Sequence, residues 1–228
     1  MRPEAEEATI KPCAQGQTPK NPSLPSSRMK FAVLYGSYRT ERKGIRAARF
    51  IVQQLEERGH DVSMLDAEHL DLPMLDRMHK EFEPGTAPEG MEHAHRVLAD
   101  ADGLVVVGGE WNHSIPAGLK NLLDHFQAEY IGKPAGIVTY SGGPFGGVRA
   151  APHYRAILGE LGAVTTSSMF AVSSVWKAFD EDGADATEGR DYERRVGRFL
   201  NELEWYAEAL AAQRAKQADP FAATDATS

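Results

Sequence analysis

The sequence predicts an α/β protein with a five-stranded parallel sheet and helices on both faces. Five short apolar runs are each followed by a helical pattern. Strands that are apolar throughout are typical of a sheet buried on both sides, and right-handed crossovers then favour a doubly wound topology. Ligands of such sheets lie beyond the carboxyl ends of the strands. We therefore expect functional residues after the first, third and fourth strands.

Strands and helices alternate from about residue 30 to residue 213. The predicted strands are Phe31–Tyr35, Asp61–Leu65, Leu104–Val107, Ala135–Tyr140 and Thr165–Val172. The predicted helices are Ile45–Leu55, Glu89–Ala101, Ile115–Ala128, Gly147–Leu161 and Asp191–Gln213. Apolar residues recur at helical spacing in each helix. The Pro-containing segment Leu70–Pro88 carries apolar side chains that either meet a partner or cover the edge of its own sheet.

The 228 residues, 42% of them hydrophobic and 25% charged, suffice for one globular domain. Residues 1–28 and 216–228 lack apolar periodicity, so we expect a disordered extension, a single domain at 29–215 and a disordered tail. The formal charge of −8 argues against a nucleic-acid surface. An acidic protein that binds a phosphorylated ligand must concentrate its positive charge locally.

The remaining composition points to a cytoplasmic protein with no membrane partner. No run approaches the ~20 apolar residues of a membrane span, and the acidic N-terminus differs from a signal peptide. The single cysteine, Cys13, cannot form an internal disulfide and is expected to be an inert thiol. Neither a metal-ligand spacing nor a Ser-His-Asp pattern is evident, so we expect no metal.

The segment after the first strand has the composition of a phosphate-binding loop. Gly36 and Ser37 open onto a helix start, which offers backbone N–H groups, a hydroxyl and the positive end of a helix dipole. Four cations follow within eight residues: Arg39, Arg42, Lys43 and Arg46. The alternative is a tight turn before a solvated basic helix start. Neither the Rossmann nor the Walker glycine pattern is present.

The segments after the third and fourth strands suit a flat heterocycle. Gly108–Pro116 places Trp111 and Asn112 beside polar groups, and aromatic and hydrogen-bonding groups together are typical of cofactor sites. Ser114 is a candidate cap for the helix that follows. His113 is either a structural or interface histidine or a proton donor, and the first interpretation is favoured. Ser141–Ala150 contains four glycines in six positions, which bring backbone close to a ligand or form a flexible hinge.

Together these three segments resemble the NADPH-dependent FMN reductase family of flavodoxin-like proteins. That family's motifs are Gly-Ser-x-Arg, then Pro-Glu-Tyr-Asn-x-Ser-x-Pro running into Leu-Lys-Asn-x-x-Asp, then a Gly-rich loop ending in Gly-Gly-x-Arg-Ala. Here they stand as Gly36–Arg39, Gly109–Pro116 with Leu119–Asp124, and Ser141–Ala150. Gly109 replaces the family's Pro, and Trp111 replaces its Tyr. The resemblance covers about residues 30–175.

The resemblance implies a flavodoxin-like three-layer sandwich with strand order 2-1-3-4-5 and a bound FMN. Ser37 and Arg39 would hold the phosphate, and the backbone near Gly44 and Ile45 would complete its cradle. The residues that would line the flavin ring are Glu110, Trp111, Asn112 and His113. Those that would approach the ring's pyrimidine edge are Ser141, Gly142, Gly143 and Gly146.

The implied activity is transfer of electrons from NADPH or NADH through FMN to a small acceptor in a ping-pong cycle. Quinones, free flavin, azo compounds and metal oxyanions are the acceptor classes of the family. Surplus cations of the first loop are expected to favour NADPH by meeting its 2′-phosphate. The family also implies a homodimer or homotetramer. The alternatives are a flavodoxin-type electron carrier without its own substrate and a flavin-free regulatory module.

Overall fold

The computed structural model of the protein describes residues 28–217. Within them, five strands form one parallel sheet in the order β2-β1-β3-β4-β5. The strands are β1 (Lys30–Tyr35), β2 (Asp61–Asp66), β3 (Gly103–Gly109), β4 (Pro134–Tyr140) and β5 (Val164–Val172). The predicted fold class and strand order are confirmed, and each predicted strand lies within an observed one.

Helices cover both faces of the sheet. Those within residues 28–217 are α1 (Ile45–Glu57), α2 (Ala67–Leu70), α3 (Glu89–Asp100), α4 (Ala117–Asp124), α5 (Ala151–Glu160), α6 (Val175–Ala178) and α7 (Asp191–Arg214). Buried side chains of α1, α6 and α7 form one core cluster with the sheet. Those of α3, α4 and α5 form a second cluster on the opposite face. The result is a three-layer α/β/α sandwich.

Two predicted helices are shorter than the apolar pattern indicates. The helix predicted from Ile115 begins at Ala117, because Pro116 precedes it with an extended backbone. The helix predicted from Gly147 begins at Ala151, because Gly147 has a left-handed φ of 74° and a 3₁₀ turn follows it. Helices α2 and α6 were not predicted, since four residues are too few to show a helical period.

The segment Leu70–Pro88 folds over its own chain. The side chain of Asn121 on α4 accepts a hydrogen bond from the Leu75 N–H at 2.8 Å and donates one to the Pro73 carbonyl at 2.8 Å. Asn121 therefore holds this segment rather than a ligand. Met74 remains exposed on its outer side. This part of the segment thus packs against α4 of its own chain, and the alternative of a contact with a partner stays a prediction.

The predicted extension and tail lie almost entirely outside the described residues, and Cys13 lies outside them too. Between residues 28 and 217, no helix combines the length and the apolar character that crossing a membrane requires.

Candidate functional site

A cleft of about 600 Å³ opens at the carboxyl ends of the strands. The segments after β1, β3, β4 and β5 contribute its walls. The lining residues are Ser37, Arg39, Glu41, Arg42, Lys43, Gly44, Gly109, Glu110, Trp111, Asn112, Tyr140, Ser141, Gly142, Val175 and Trp176. The fold therefore brings together the three segments that the sequence singled out.

Most of the predicted site residues line this cleft. They are Ser37, Arg39, Gly44, Glu110, Trp111, Asn112, Ser141 and Gly142. The other predicted residues lie on the same segments without lining the cleft: Ile45, His113, Gly143 and Gly146. Of these, Ile45 is the first residue of α1, and its N–H already donates to the Arg42 carbonyl at 2.9 Å. Ile45 is thus not a free donor for an anion.

Two of the four loop cations are committed to internal contacts. The Arg42 guanidinium donates to both carboxylate oxygens of Asp66, at 2.6 and 2.8 Å, and its Nε lies 2.8 Å from Glu68. Arg46 donates to the carbonyls of Trp176 and Phe179, at 3.3 and 3.0 Å. Of the four candidates for a surplus cation, Arg42 and Arg46 are therefore not free for a ligand.

Arg39 and Lys43 are the remaining cations at the cleft. The Arg39 guanidinium lies 5.7 Å from the centre of the Trp111 ring, and none of the carboxylates in residues 28–217 lies within ion-pair distance of it. Lys43 lies 3.2 Å from the exposed carboxylate of Glu41. A cation without a carboxylate partner at a cleft is suited to bind an anionic ligand.

Backbone donors lie beside Arg39. The N–H groups of Arg39, Thr40 and Gly44 have no acceptor among the described residues. Helix α1 starts immediately after Gly44 and runs for 13 residues, so its dipole adds partial positive charge here. Free N–H groups, a helix start and a guanidinium together form an anion subsite.

Gly44 lies directly against Tyr140 at the end of β4. A Cβ at Gly44 would lie 2.0 Å from Cζ of the tyrosine ring, far inside van der Waals contact. Burial raises the pKa of Tyr140 well above its ordinary value, so the phenol remains protonated. Because Gly44 has no side chain, the loop after β1 can pack directly against Tyr140 at one end of the cleft.

Trp111–Ser114 forms a tight turn after β3. The two end residues exchange backbone hydrogen bonds of 2.9 and 2.8 Å, and the central residues Asn112 and His113 have φ of 48° and 67°. Two left-handed central residues are typical of a type I′ turn, which favours Asn at the first of them. The prediction that Ser114 caps a helix is wrong, because this turn uses its backbone and Pro116 precedes α4.

An ion pair joins the segments after β3 and β4. The Arg149 Nε donates to one oxygen of Glu110 at 2.6 Å, and the Arg149 backbone N–H donates to the other at 3.2 Å. The Glu110 side chain is only 9% exposed. Its carboxylate therefore fixes the position of the Gly-rich loop relative to the turn that carries Trp111.

Ser141 closes the Gly-rich loop on itself. Its hydroxyl donates to the Gly143 carbonyl at 2.7 Å and accepts from the Gly146 N–H at 2.9 Å. Ser141 and Gly146 therefore shape the loop, while Gly142 presents its backbone to the cleft. Phe145 of the same loop lies outside the cleft lining, 62% exposed and 5.0 Å from the Arg149 guanidinium.

Sequence reasoning missed the wall that follows β5. Val175 and Trp176 of α6 line the cleft, and the Trp176 indole packs on Gly142, where a Cβ would lie 2.4 Å from the ring. The available signal was a tryptophan four residues after the predicted end of the fifth strand. The expectation covered only the segments after strands one, three and four, so it did not include this wall.

A parallel sheet in the order β2-β1-β3-β4-β5, with a cleft at the carboxyl ends of its strands, defines a flavodoxin-like protein. The family described as NADPH-dependent FMN reductase matches residues 29–177. The chain therefore belongs to that family of oxidoreductases, which uses FMN and NAD(P)H.

Three curated relatives illustrate the family. The quinone reductase of Escherichia coli K12 is 37% identical over 98 residues, which cover 41% of this chain and 51% of the relative. An NAD(P)H-dependent FMN reductase of Schizosaccharomyces pombe is 33% identical over 58% of this chain and 66% of its own length. An NADPH azoreductase of Bacillus sp. is 25% identical over 69% and 84%. The chain thus spans about half the length of the first of these relatives.

Solved structures show the same fold. The flavoenzyme NAD(P)H:acceptor oxidoreductase FerB of Paracoccus denitrificans matches 78% of this chain and 98% of its own, with a TM-score of 0.62 and 22% identity. At this level of identity the match supports the fold alone.

We predict that Gly44→Ala destabilises the protein by about 1–3 kcal/mol, because the added methyl group must displace the Tyr140 ring. The measurement is the free energy of unfolding in urea. Gly143→Ala is the matched control: it lies on another loop of the site, has nothing within 4 Å of its Cβ, and should change stability by about 0.5 kcal/mol or less. Equal stabilities of the two variants would contradict the packing argument.

Proposed function

We propose that the protein is an FMN-dependent oxidoreductase that passes electrons from NADPH to a small acceptor. The observation that carries this proposal is the pairing of an anion subsite with two exposed indoles in one cleft. Trp111 is 50% and Trp176 43% exposed, and both line the same cleft. Exposed large apolar side chains indicate a binding site when several of them lie together. Family membership supports the redox chemistry.

The cleft fits FMN by size and by the chemistry of its walls. Its volume lies within the range of about 300–1,000 Å³ typical of cofactor sites. We propose that Ser37, Arg39 and the Gly44 N–H hold the phosphate. Trp111 and the backbone of Gly142 would contact the ring. When bound, FMN supplies a ring that accepts a hydride from the nicotinamide and releases electrons to the acceptor.

The residues of the chain would bind and orient rather than react. Arg39 would neutralise the phosphate, and the indole of Trp176 would keep water from one side of the cleft. The Glu110–Arg149 ion pair would hold the loops that contact the ring in register. One opening serves both the nicotinamide and the acceptor, so we propose that they occupy it in turn, in a ping-pong order.

The acceptor classes follow from relatives. The printed names of relatives include quinone reductase and NADPH azoreductase, and an open, flat site accepts such molecules without a deep specificity pocket. We propose quinones and azo compounds as the first acceptors to assay, followed by free flavin and metal oxyanions.

We also propose that the working unit is a homodimer or homotetramer. Trp205 on α7 and Met74 expose large apolar side chains on the outer surface, and such side chains are often covered in assemblies. Light scattering should give the mass of at least two chains, and the mass of one chain would contradict this.

Mixing the FMN-loaded protein with NADPH under anaerobic conditions should bleach the flavin absorbance without any added protein. An oxidoreductase binds the donor itself, whereas an electron carrier of the flavodoxin type needs a partner to be reduced. Absorbance that persists on adding NADPH, but falls on adding dithionite, would favour the carrier. A preparation that binds no FMN would contradict both the oxidoreductase and the electron-carrier interpretation.

Arg39→Gln should weaken FMN binding by roughly 10- to 100-fold, since a charge-assisted hydrogen bond contributes about 1.5–3 kcal/mol. The variant should bind riboflavin as the unchanged protein does, because riboflavin lacks the phosphate. Both constants come from quenching of flavin fluorescence. Arg96→Gln, at an exposed cation of α3 outside the cleft, is the control. Equal losses for FMN and riboflavin would place Arg39 away from the phosphate.

Lys43 is the cation we propose for the 2′-phosphate of NADPH, because Arg42 and Arg46 are engaged elsewhere and Arg39 is assigned to FMN. The ratio of kcat/KM for NADPH to that for NADH should exceed one, and Lys43→Gln should lower it by about tenfold. The value for NADH should not change. A variant that loses both donors equally would show that Lys43 does not distinguish them.

A further inference from the structure

The fold brings together two histidines and a glutamate that the sequence keeps far apart. His79, His95 and Glu129 each offer a ligand atom within 4.8 Å of the others. They come from three separate segments: the 3₁₀ turn His79–Glu81, helix α3 and the 3₁₀ turn Ala128–Tyr130. The expectation that the chain contains no metal-ligand group rested on spacing in sequence, and this cluster was invisible to it.

Both imidazoles approach one oxygen of Glu129. The Nδ1 of His95 lies 2.7 Å from Glu129 Oε1, and the Nδ1 of His79 lies 3.9 Å from the same oxygen. The other oxygen, Oε2, accepts the Gln127 N–H at 2.9 Å, which fixes the carboxylate. The two rings stack with centres 3.9 Å apart and planes 12° from parallel.

Glu92 supports His79 from the opposite side. Its Oε2 lies 3.4 Å from His79 Nε2, and its Oε1 accepts the Ala87 N–H at 3.2 Å. A carboxylate on the far nitrogen of an imidazole is the usual support of a histidine that binds a metal.

A purely structural role accounts for each His–Glu pair separately. It does not account for the convergence of two imidazoles on one carboxylate oxygen, with a second carboxylate behind one of them. One divalent cation in place of the imidazole protons satisfies both rings and Glu129 at once.

We propose that His79, His95 and Glu129 bind a zinc-type divalent ion, with the fourth position open to solvent. Two imidazoles and one carboxylate suit Zn²⁺ better than Mg²⁺ or Ca²⁺, which prefer oxygen ligands. In a tetrahedral site neighbouring ligand atoms lie about 3.4 Å apart. The His95–Glu129 pair at 2.7 Å would therefore open by about 0.7 Å, and the His79–Glu129 pair at 3.9 Å would close by about 0.5 Å. Rotation about the terminal torsion of one imidazole supplies this movement, and the His95 side chain is 35% exposed.

The ion would link three separate segments of the chain at the end of the sheet opposite the cleft. Glu129 lies shortly before the amino end of β4, whereas the cleft lies at the carboxyl ends. His79 belongs to the segment Leu70–Pro88, and its N–H donates to the His125 carbonyl at 2.9 Å. Binding would therefore tie this segment to α3 and to the turn before β4, independently of the proposed redox function.

The test is a calorimetric titration of the full chain with ZnCl2, without an affinity tag and after treatment with EDTA. Every protein in the series carries Cys13→Ser, which removes the single thiol. We expect one ion per chain. His95→Gln and Glu129→Gln should each weaken binding by at least about tenfold. His93→Gln, at an exposed histidine on the same helix, should leave the affinity within about twofold.

Cleavage by trypsin provides a second readout. It does not depend on whether a variant of one of the three ligand residues folds. Cleavage after Arg77 and Lys80, on either side of His79, should slow when ZnCl2 is added to the Cys13→Ser protein. Less than about half an ion per chain at micromolar zinc, or cleavage unchanged by zinc, would overturn the proposal. Equal affinities of His95→Gln and His93→Gln would also overturn it.

Discussion

The contact between Gly44 and Tyr140 is the constraint on which the shape of the cleft depends. Strand β3 lies between β1 and β4 in the sheet, so the loop after β1 must cross the end of β3 to reach Tyr140. Gly44 allows this approach, and Gly109 at the end of β3 leaves room for the same ring, with a Cβ position 3.1 Å away. One buried tyrosine thus packs against both the loop after β1 and the end of β3.

Electrostatic pairing then decides which part of the first loop can bind an anion. Asp66 stands at the end of β2, next to β1, and holds the Arg42 guanidinium by two hydrogen bonds. Removing one partner of such a pair would leave the other charge buried, so Arg42 is bound to the fold. Arg46 ties α1 to the segment of α6. A dense group of cations therefore leaves few for a ligand, and Arg39 beside Trp111 is the principal one.

The sequence was sufficient for the sheet and for most of the cleft. Continuous apolar runs and helical periodicity predict the strands and long helices, and the rule on carboxyl ends predicts where their loops meet. What it could not show depends on contacts distant in sequence. The engagement of Arg42 with Asp66, the wall formed by Trp176 and the approach of His79 to Glu129 all join residues tens of positions apart.

Helix α4 connects the two ends of the molecule that these residues define. It begins just after the Trp111 turn at the cleft and ends at Asp124, next to the residue whose carbonyl accepts the His79 N–H. Eight residues span about 12 Å, and Leu119, Leu122 and Leu123 are fully buried against the sheet. Because groups separated by more than about 7–10 Å usually act additively, occupancy of the His–Glu cluster and occupancy of the cleft should contribute to stability independently.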